Sequence, residues 1–285
     1  TPTYRTGSRF ARTYNSVIAQ SYPNWEWVVL DDSPNEETFQ SLCVLAKRDW
    51  RVRVYRSWRN SGSIGDLKRD LCGLAQGQIF AELDHDDVLT PNCLQDVVEA
   101  FDQFPEAGFA YTDCAEIFED GAEHSYGTGW GLGYGSYRRE AFRGREFTVT
   151  NYPPVNPKTI RHIVGVPNHV RAWTRSAYQA TGGYGRGIHV ADDYELLIRT
   201  FLTTRIVHIQ RLGYIQFMSR TGGNTQTKRN AEIQRLVRLF RERYDAEIHA
   251  RFEELGLDDW AWTGSWSDYR TEPPAGAIDA NYVVR

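Results

Sequence analysis

Two apolar runs in this chain end abruptly in carboxylates, and that placement restricts the fold more than any other feature. Residues 79–89 read IFAELDHDDVL: five residues of strand character, then Asp84, Asp86 and Asp87 with His85 among them. Upstream, WEWVVLDDSP repeats the pattern, with a strand over 25–30 and Asp31 and Asp32 at its tip. Continuous apolar runs belong to strands buried on both faces, as in parallel sheets. Open sheets of that kind take ligands in a crevice outside the carboxyl ends of their strands. Two strand tips loaded with acids therefore predict a crevice for a cation and a polar ligand.

The remaining pattern agrees. Residues 1–4 read as the end of a strand that starts upstream, and a chain opening on Thr1 without Met reads as lacking an N-terminal piece. Ser8 can cap a helix over 9–21. Helices follow over 36–47, 66–74 and 90–104, the last opened by Thr90 and Pro91. Between them, strands are expected over 52–57, 79–83 and 109–112. Strict strand–helix alternation predicts an α/β fold with a mostly parallel, doubly wound, Rossmann-like sheet. The rhythm breaks at 120–157, rich in glycine, aromatics and proline, which reads as long functional loops. Strands resume at 169–173 and 207–218, with helices over 175–181 and from Asp192 to 202. A long amphipathic helix over 227–255 and a Trp-containing tail form a C-terminal extension. The chain divides into a main domain over 1–226, with 120–160 inserted, and the extension over 227–285.

Each acidic cluster has two readings. Asp84 and Asp86 can hold Mg²⁺ or Mn²⁺ against a diphosphate, or cap the next helix, and Asp87 reads as a cap in either case. Asp31 and Asp32 can accept hydrogen bonds from a base or a ribose, or build a turn. Gly62 and Lys68, in NSGSIGDLK, can face a phosphate ahead of a helix or mark a plain turn. Asp193 follows a glycine-rich turn and suits a general base; Asp192, with Glu195 three residues on, resembles a capping box. Arg220, Lys228 and Arg229 flank Gly222–Gly223, as a loop folding over a diphosphate would need, or as an exposed linker.

These stretches together resemble the family 2 glycosyltransferases, inverting nucleotide-sugar enzymes of the GT-A fold. The resemblance is carried by TPTYR at 1–5, SVIAQSYPNWEWVVLDDS at 16–33, NSGSIGDLK at 60–68, LAQGQIFAELDHDDVLTP at 74–91, and GGY with ADDYEL within 182–196. It implies that Thr3, with Tyr4 and Arg5, and Asp31, with Asp32, contact the uridine of a nucleotide-sugar donor. Gly62, Lys68, His85 and Arg220 face the same donor. Asp84 and Asp86 match the D-x-D pair that binds metal and donor, and Asp193 matches the catalytic base. Thr221 stands where the family often has a histidine. No QxxRW motif follows the base, which separates the chain from processive cellulose-type synthases. The acceptor, a saccharide or other hydroxyl compound, is expected near Asp192 and the aromatics Trp130, Tyr134, Tyr137 and Trp173, whose rings offer flat apolar faces to a sugar.

A sugar-phosphate nucleotidyltransferase is the rival enzyme, but the glycine- and arginine-rich signature it needs is missing from residues 3–12. A nucleic-acid-binding or nucleic-acid-modifying protein is the rival of another class. Its cue is the run Arg229, Arg235, Arg238, Arg241 and Arg243. Glu232, Glu242, Asp245 and Glu247 interleave with it and the net charge is −4, so a solvated helix face is the better reading. No apolar run reaches membrane-spanning length. Cys43, Cys72, Cys93 and Cys114 have neither disulfide-framework nor zinc spacing, and read as reduced core thiols of a cytoplasmic protein.

Overall fold

A computed structural model describes residues 1–220, 228–264 and 280–285. In chain order its elements are β1 (Pro2–Thr3), α1 (Phe10–Ile18), β2 (Trp27–Asp31), α2 (Glu36–Ala46), β3 (Val52–Arg56), α3 (Ile64–Leu74), β4 (Ile79–Ala81), β5 (Val88–Leu89) and α4 (Cys93–Gln103). They continue with β6 (Ala107–Phe118), β7 (Ser136–Phe142), β8 (Arg145–Asn151), α5 (Thr159–His162), β9 (Arg171–Thr174), α6 (Arg175–Ala180), α7 (Asp192–Thr203), β10 (Arg205–Met218), α8 (Asn230–Glu254) and β11 (Asn281–Val284).

The α/β architecture with a C-terminal helical extension is the expected one, but the strands divide into two sheets. β1, β2 and β3 form a parallel sheet in that order, with Thr3 opposite Asp31 and Leu30 opposite Tyr55. The second sheet is mixed. Its centre is the parallel pair β6–β10. β4 enters this second sheet through β9, antiparallel to it, with Phe80 opposite Trp173. β9 in turn runs antiparallel to β6. The parallel pairing expected of β4 in a mostly parallel sheet is lost because residues 119–170 return to the sheet without a long crossover helix, and a strand that returns that way pairs antiparallel.

Burial explains the elements. All five residues of β2 and eleven of the twelve in β6 are buried, the double-sided covering that their apolar runs predict. Phe10 of α1 stacks on Trp27 of β2 at 5.0 Å between centroids. The 120–157 stretch is more ordered than its glycine content suggests. It holds the β7–β8 hairpin, paired from Ser136 opposite Asn151 to Phe142 opposite Arg145. Hairpin pairing supplies the backbone hydrogen bonds that composition alone does not reveal.

The extension is built into the same core. α8 buries Ile233, Val237, Tyr244, Ile248 and Phe252, and Phe252 packs on Phe201 of α7 at 4.8 Å. A buried ion cluster fastens it. Arg161 of α5 is fully buried and reaches Asp259 at 2.6 Å and Asp245 at 2.7 Å. Among the described residues no helix is long and apolar enough to cross a membrane, and all four cysteines are free thiols.

Removing one partner of a buried pair leaves the other charged and unsolvated, at a cost of about 3–5 kcal/mol. Arg161→Ala is therefore expected to lower unfolding free energy by that amount in a denaturant titration, because the Asp259 side chain has no exposure of its own.

Candidate functional site

At the tips of the three-stranded sheet, each acid has been given its own set of donors. Asp31 ends β2, fully buried, and its Oδ1 accepts from Thr3 Oγ1 at 3.0 Å and from Ser33 Oγ at 2.6 Å. Its Oδ2 is equally buried and meets no hydrogen-bond partner among the described residues. Asp32 is held differently. It accepts from Asn60 Nδ2 at 2.9 Å and from the Ser61 backbone N–H at 3.0 Å, which ties the β2 tip to the loop before α3. Gly62 has φ +66°, a conformation open to glycine at little cost, and it lets this loop turn into α3. Ser63 caps that helix through Asp66 N–H. Tyr4 is half exposed beside the tip, and the Arg5 N–H donates to Ser33 Oγ at 2.8 Å.

The second acidic tip splits its three aspartates among three tasks. Asp84 keeps about a third of its side chain open, and no side-chain or backbone donor among the described residues reaches its carboxylate. Burial works to raise its pKa, but His169, Lys68, His85 and Arg171 act against it and hold Asp84 down to about 2. Asp86 turns toward Arg9, 3.4 Å away. Asp87 corrects the capping expectation: it is buried, and it accepts from Tyr214 Oη at 2.8 Å and Phe217 N–H at 2.7 Å. It anchors β10 and has no role at the start of α4. Burial and the neighbouring Asp84 and Asp86 push its carboxyl well above the usual range. The His85 ring is engaged with Thr6 Oγ1 at 2.8 Å.

Behind Asp84 lies a buried row of alternating charge that the sequence did not announce. Lys68 Nζ stands 3.2 Å from Glu82 Oε1, within ion-pair reach although not in hydrogen-bonding alignment. Glu82 Oε2 is 3.4 Å from Arg171 Nη1, and Arg171 Nη2 is 3.0 Å from Asp193 Oδ2. Burial alone would lower the Lys68 ammonium; the carboxylates of Glu82, Asp84 and Asp192 outweigh it and raise its pKa. His169 lies beside the row, stacked on Tyr214 and 4.0 Å from Asp84, with both ring nitrogens buried and without hydrogen-bond partners among the described residues. Burial holds its pKa down to about 4, so it is neutral at neutral pH. Glu82, His169 and Arg171 carry no motif. The only signal available was a charged residue, Glu82, inside an otherwise apolar strand run.

α7 supplies the opposite wall. Its N-terminal cap is Ala191, in a left-handed conformation, so the expected capping box of Asp192 with Glu195 does not form. Glu195 instead accepts from Arg199 Nε and Tyr244 Oη. Asp193 Oδ1 accepts from the Tyr194 N–H at 2.8 Å. Asp192 is buried directly against α3. A Cβ built on Gly65 would stand 2.9 Å from Asp192 Cβ, so only glycine lets the two helices approach this closely. Burial and the adjacent Asp193 push Asp192 up to about 7.

The aromatic group expected on the acceptor side is only partly assembled. Trp173 is 1% exposed, donates to Thr200 Oγ1, and belongs to the core; its apolar ring is more useful there than at a surface. Trp130 is partly buried among Tyr126, Tyr137 and Tyr152, and Gly135 lies flat against its ring. Tyr134 lines a separate cavity of about 350 Å³ with Arg138 and His208. Arg220 is engaged with Asp120 at 2.8 Å and lies over Phe118. Thr221 lies outside the described residues. A larger cavity of about 680 Å³ is lined by residues that include Trp27, Leu71, Phe80 and Leu89, with Lys68 and Glu82 also in its wall.

Comparison with known proteins places this site in context. The family model described as Glycosyl transferase family 2 matches residues 1–153. An uncharacterized protein y4gI of Sinorhizobium fredii is 30% identical over 65% of this chain and 18% of its own length. Chondroitin synthase of Escherichia coli is 24% identical over 92% of this chain and 33% of its own. The chain thus spans a third or less of these two curated relatives. Among solved structures, S. aureus TarS 1–349 in complex with UDP-GlcNAc superposes with a TM-score of 0.61 at 17% identity, covering 89% of this chain and 71% of TarS 1–349. The mannosyltransferase PcManGT of Pyrobaculum calidifontis, in complex with GDP-Man and Mn²⁺, gives 0.56 at 15% identity, covering 90% and 69%. Both likenesses show the fold.

The elevated Asp192 carboxyl has a thermodynamic signature. Its ordinary pKa is about 3.9, and its folded value is about 7. The folded state therefore favours the protonated form, and the stability this contributes is present below about pH 4 and lost as pH rises toward about 7. Asp192→Asn is expected to be more stable than the parent protein at pH 8, by more than about 1 kcal/mol and so with a higher Tm, the gap closing toward pH 4. Melting curves across that range check it.

Proposed function

The chain belongs to glycosyl transferase family 2 and is a glycosyltransferase, and from the crevice between β2, β4 and α7 we propose that it moves a sugar from a UDP-sugar to an acceptor hydroxyl with inversion, Asp193 acting as base. The observation that carries this reading is the meeting of Lys68 and Asp193 through the contacts of Glu82 and Arg171, with Asp84 beside that row across His169. A cation, an uncommitted carboxylate and a second carboxylate at a helix N-terminus suit a leaving diphosphate and an incoming hydroxyl.

The geometry supports each part of this reading. The unpartnered Asp31 Oδ2 suits a base N–H, with Thr3 and Ser33 fixing the carboxylate, and Asp32 and Gly62 shape the wall beside it. Tyr4 and Arg5 border the same end. Lys68 brings positive charge toward the diphosphate. A saccharide acceptor is assigned to the side of Asp192 and the Trp130, Tyr134 and Tyr137 segment. Residues 1–226 are assigned the catalytic unit and residues 227–285 a C-terminal extension, whose helix α8 packs on α7.

Asp84 and Asp86 fit a hard divalent cation, Mn²⁺ or Mg²⁺, because Asp84 is anionic and unclaimed, and the neighbour solved with Mn²⁺ supports this. No group of three His, Cys, Asp or Glu gathers among the described residues, so the donor's phosphates would complete the coordination. Held by Asp84 and Asp86, such an ion would supply charge neutralisation at the leaving group. Asp193 takes the proton of the acceptor hydroxyl, the acceptor oxygen bonds to the anomeric carbon, and the bond from that carbon to the phosphate oxygen breaks with its electrons leaving on UDP. One displacement inverts the centre.

The test is release of UDP from a panel of UDP-sugars; no UDP from any of them, with pyrophosphate released instead from UTP and a sugar 1-phosphate, would point to nucleotidyl transfer and overturn the reading. Asp193→Asn is expected to lower kcat by at least about 100-fold with donor affinity nearly unchanged, since a base acts in the transition state. Asp86→Asn and chelation by EDTA are each expected to abolish transfer and weaken UDP binding without lowering Tm. Full activity in EDTA removes the metal role.

A further inference from the structure

A catalytic base needs its lone pair aimed at one point and its charge kept available, and nothing in α7 itself accomplishes both. The Tyr194 N–H engages only Oδ1 of Asp193. Oδ2 is engaged from another element, by Arg171 of β9 at 3.0 Å. Arg171 is 1% exposed and anchored at two further points. Its Nε donates to the Pro167 carbonyl at 3.0 Å, and its Nη1 faces Glu82 Oε2 at 3.4 Å. The backbone of β9 is itself pinned, since Arg171 pairs opposite Tyr111 in β6 and its carbonyl accepts from the Glu82 N–H. A guanidinium offers its donors in a rigid planar fork, so one side chain can serve two carboxylates in fixed directions.

We infer that Arg171 is the positioning residue of the transfer reaction, aiming Asp193 at the acceptor, and that Glu82 is the counter-ion that retains Arg171 in place when Asp193 takes up the proton. The inference rests on the reading of Asp193 as the base. Protonation of Asp193 removes the negative partner of a fully buried guanidinium. Without a second carboxylate that step would leave an unpaired buried charge, which is costly. Glu82 lies against both Lys68 and Arg171, so protonation of Asp193 takes the row from neutral to one net positive charge shared around a carboxylate and leaves the guanidinium with a counter-ion. The groups that face Asp193 are Arg171 from β9, Lys68 from α3, Glu82 from the end of β4, and Asp192 from its own helix, with His169 and Asp84 beyond them. Burial would raise the Asp193 carboxyl; Arg171 and Lys68 act against it and hold it below the usual range.

The test is the pH dependence of kcat/KM for UDP release in the full chain, for Arg171→Gln, Arg171→Lys and Glu82→Gln. Loss of a contacting cation moves a carboxylate pKa by about 1–3 units, so Arg171→Gln is expected to shift the acid limb upward by at least about one unit. Arg171→Lys keeps the charge and loses the fork, so its acid limb stays close to that of the parent enzyme while kcat falls. Glu82→Gln leaves Arg171 to Asp193 alone and moves the acid limb downward. In an Asp193→Asn background Arg171→Gln is expected to add less than about twofold, because the two act as one unit. UDP affinity separates this role from a donor contact and is expected to change little in Arg171→Gln. An unmoved acid limb, or losses that multiply with Asp193→Asn, overturns the inference. Wild-type kcat in Asp193→Asn instead overturns the base assignment, which is a different failure. Should Arg171→Gln fail to fold, the opposite movement required of Glu82→Gln decides the question.

Discussion

A strand buried on both faces has to be covered on both faces, and β6 imposes that demand on the whole molecule. It is buried over nearly its full length and carries Thr112, Asp113 and Glu116 inside the sheet. β10 pairs along it in parallel, β9 and β8 pair antiparallel to it, and α4 and α6 pack against it. Its two acids recruit their own partners. Asp113 is met by His208 at 2.8 Å and by Arg138 of the β7–β8 hairpin, and Glu116 by His124 and Tyr126. Buried carboxylates persist only when paired and hydrogen-bonded. The hairpin is therefore fastened to the core by charge as well as by strand pairing. β9 takes its register from β6, and through β9 so does Arg171.

The crevice is a product of that arrangement. Two sheets deliver acidic tips, and α7 approaches α3 closely because Gly65 leaves room for Asp192. Three families of carboxylate result, each tuned by its surroundings. Asp84 is held strongly anionic, Asp192 is driven toward the neutral form, and Asp193 is held anionic by Arg171. Like chemistry at neighbouring positions is separated by local field, which is how a small number of acids can serve distinct roles.

The local elements were readable where one interaction decides them. β2, α2 and β3 fall within a residue or two of expectation, because apolar runs and turn residues bound them. α8 is legible from its period. β6 is longer than expected because Asp113 and Glu116 interrupt the apolar run, and their compensation by His208 and Arg138 is a tertiary fact. The hairpin was hidden by glycine, and Trp173 looked like a surface ring because its Thr200 partner lies on another element. Of the site, Asp31, Lys68, Asp84 and Asp193 were visible as strand-tip, loop and helix-start residues. Glu82, His169 and Arg171 were not, since a lone charge in a strand has no local meaning until the opposite wall is known.

The buried row has a consequence for how the chain reaches its working form. Its members, Lys68, Glu82, Arg171 and Asp193, are separated by up to 125 positions in sequence, counting from 68 to 193. Contacts between distant positions bear a large loop-closure entropy and form late, after local helices and hairpins are in place. The central charges also cannot be buried singly, so the row closes as a unit or stays hydrated. Gain of turnover during refolding would then lag behind gain of helical signal, and catalytic competence would report the completed docking of α7 and β9 onto the β4 tip.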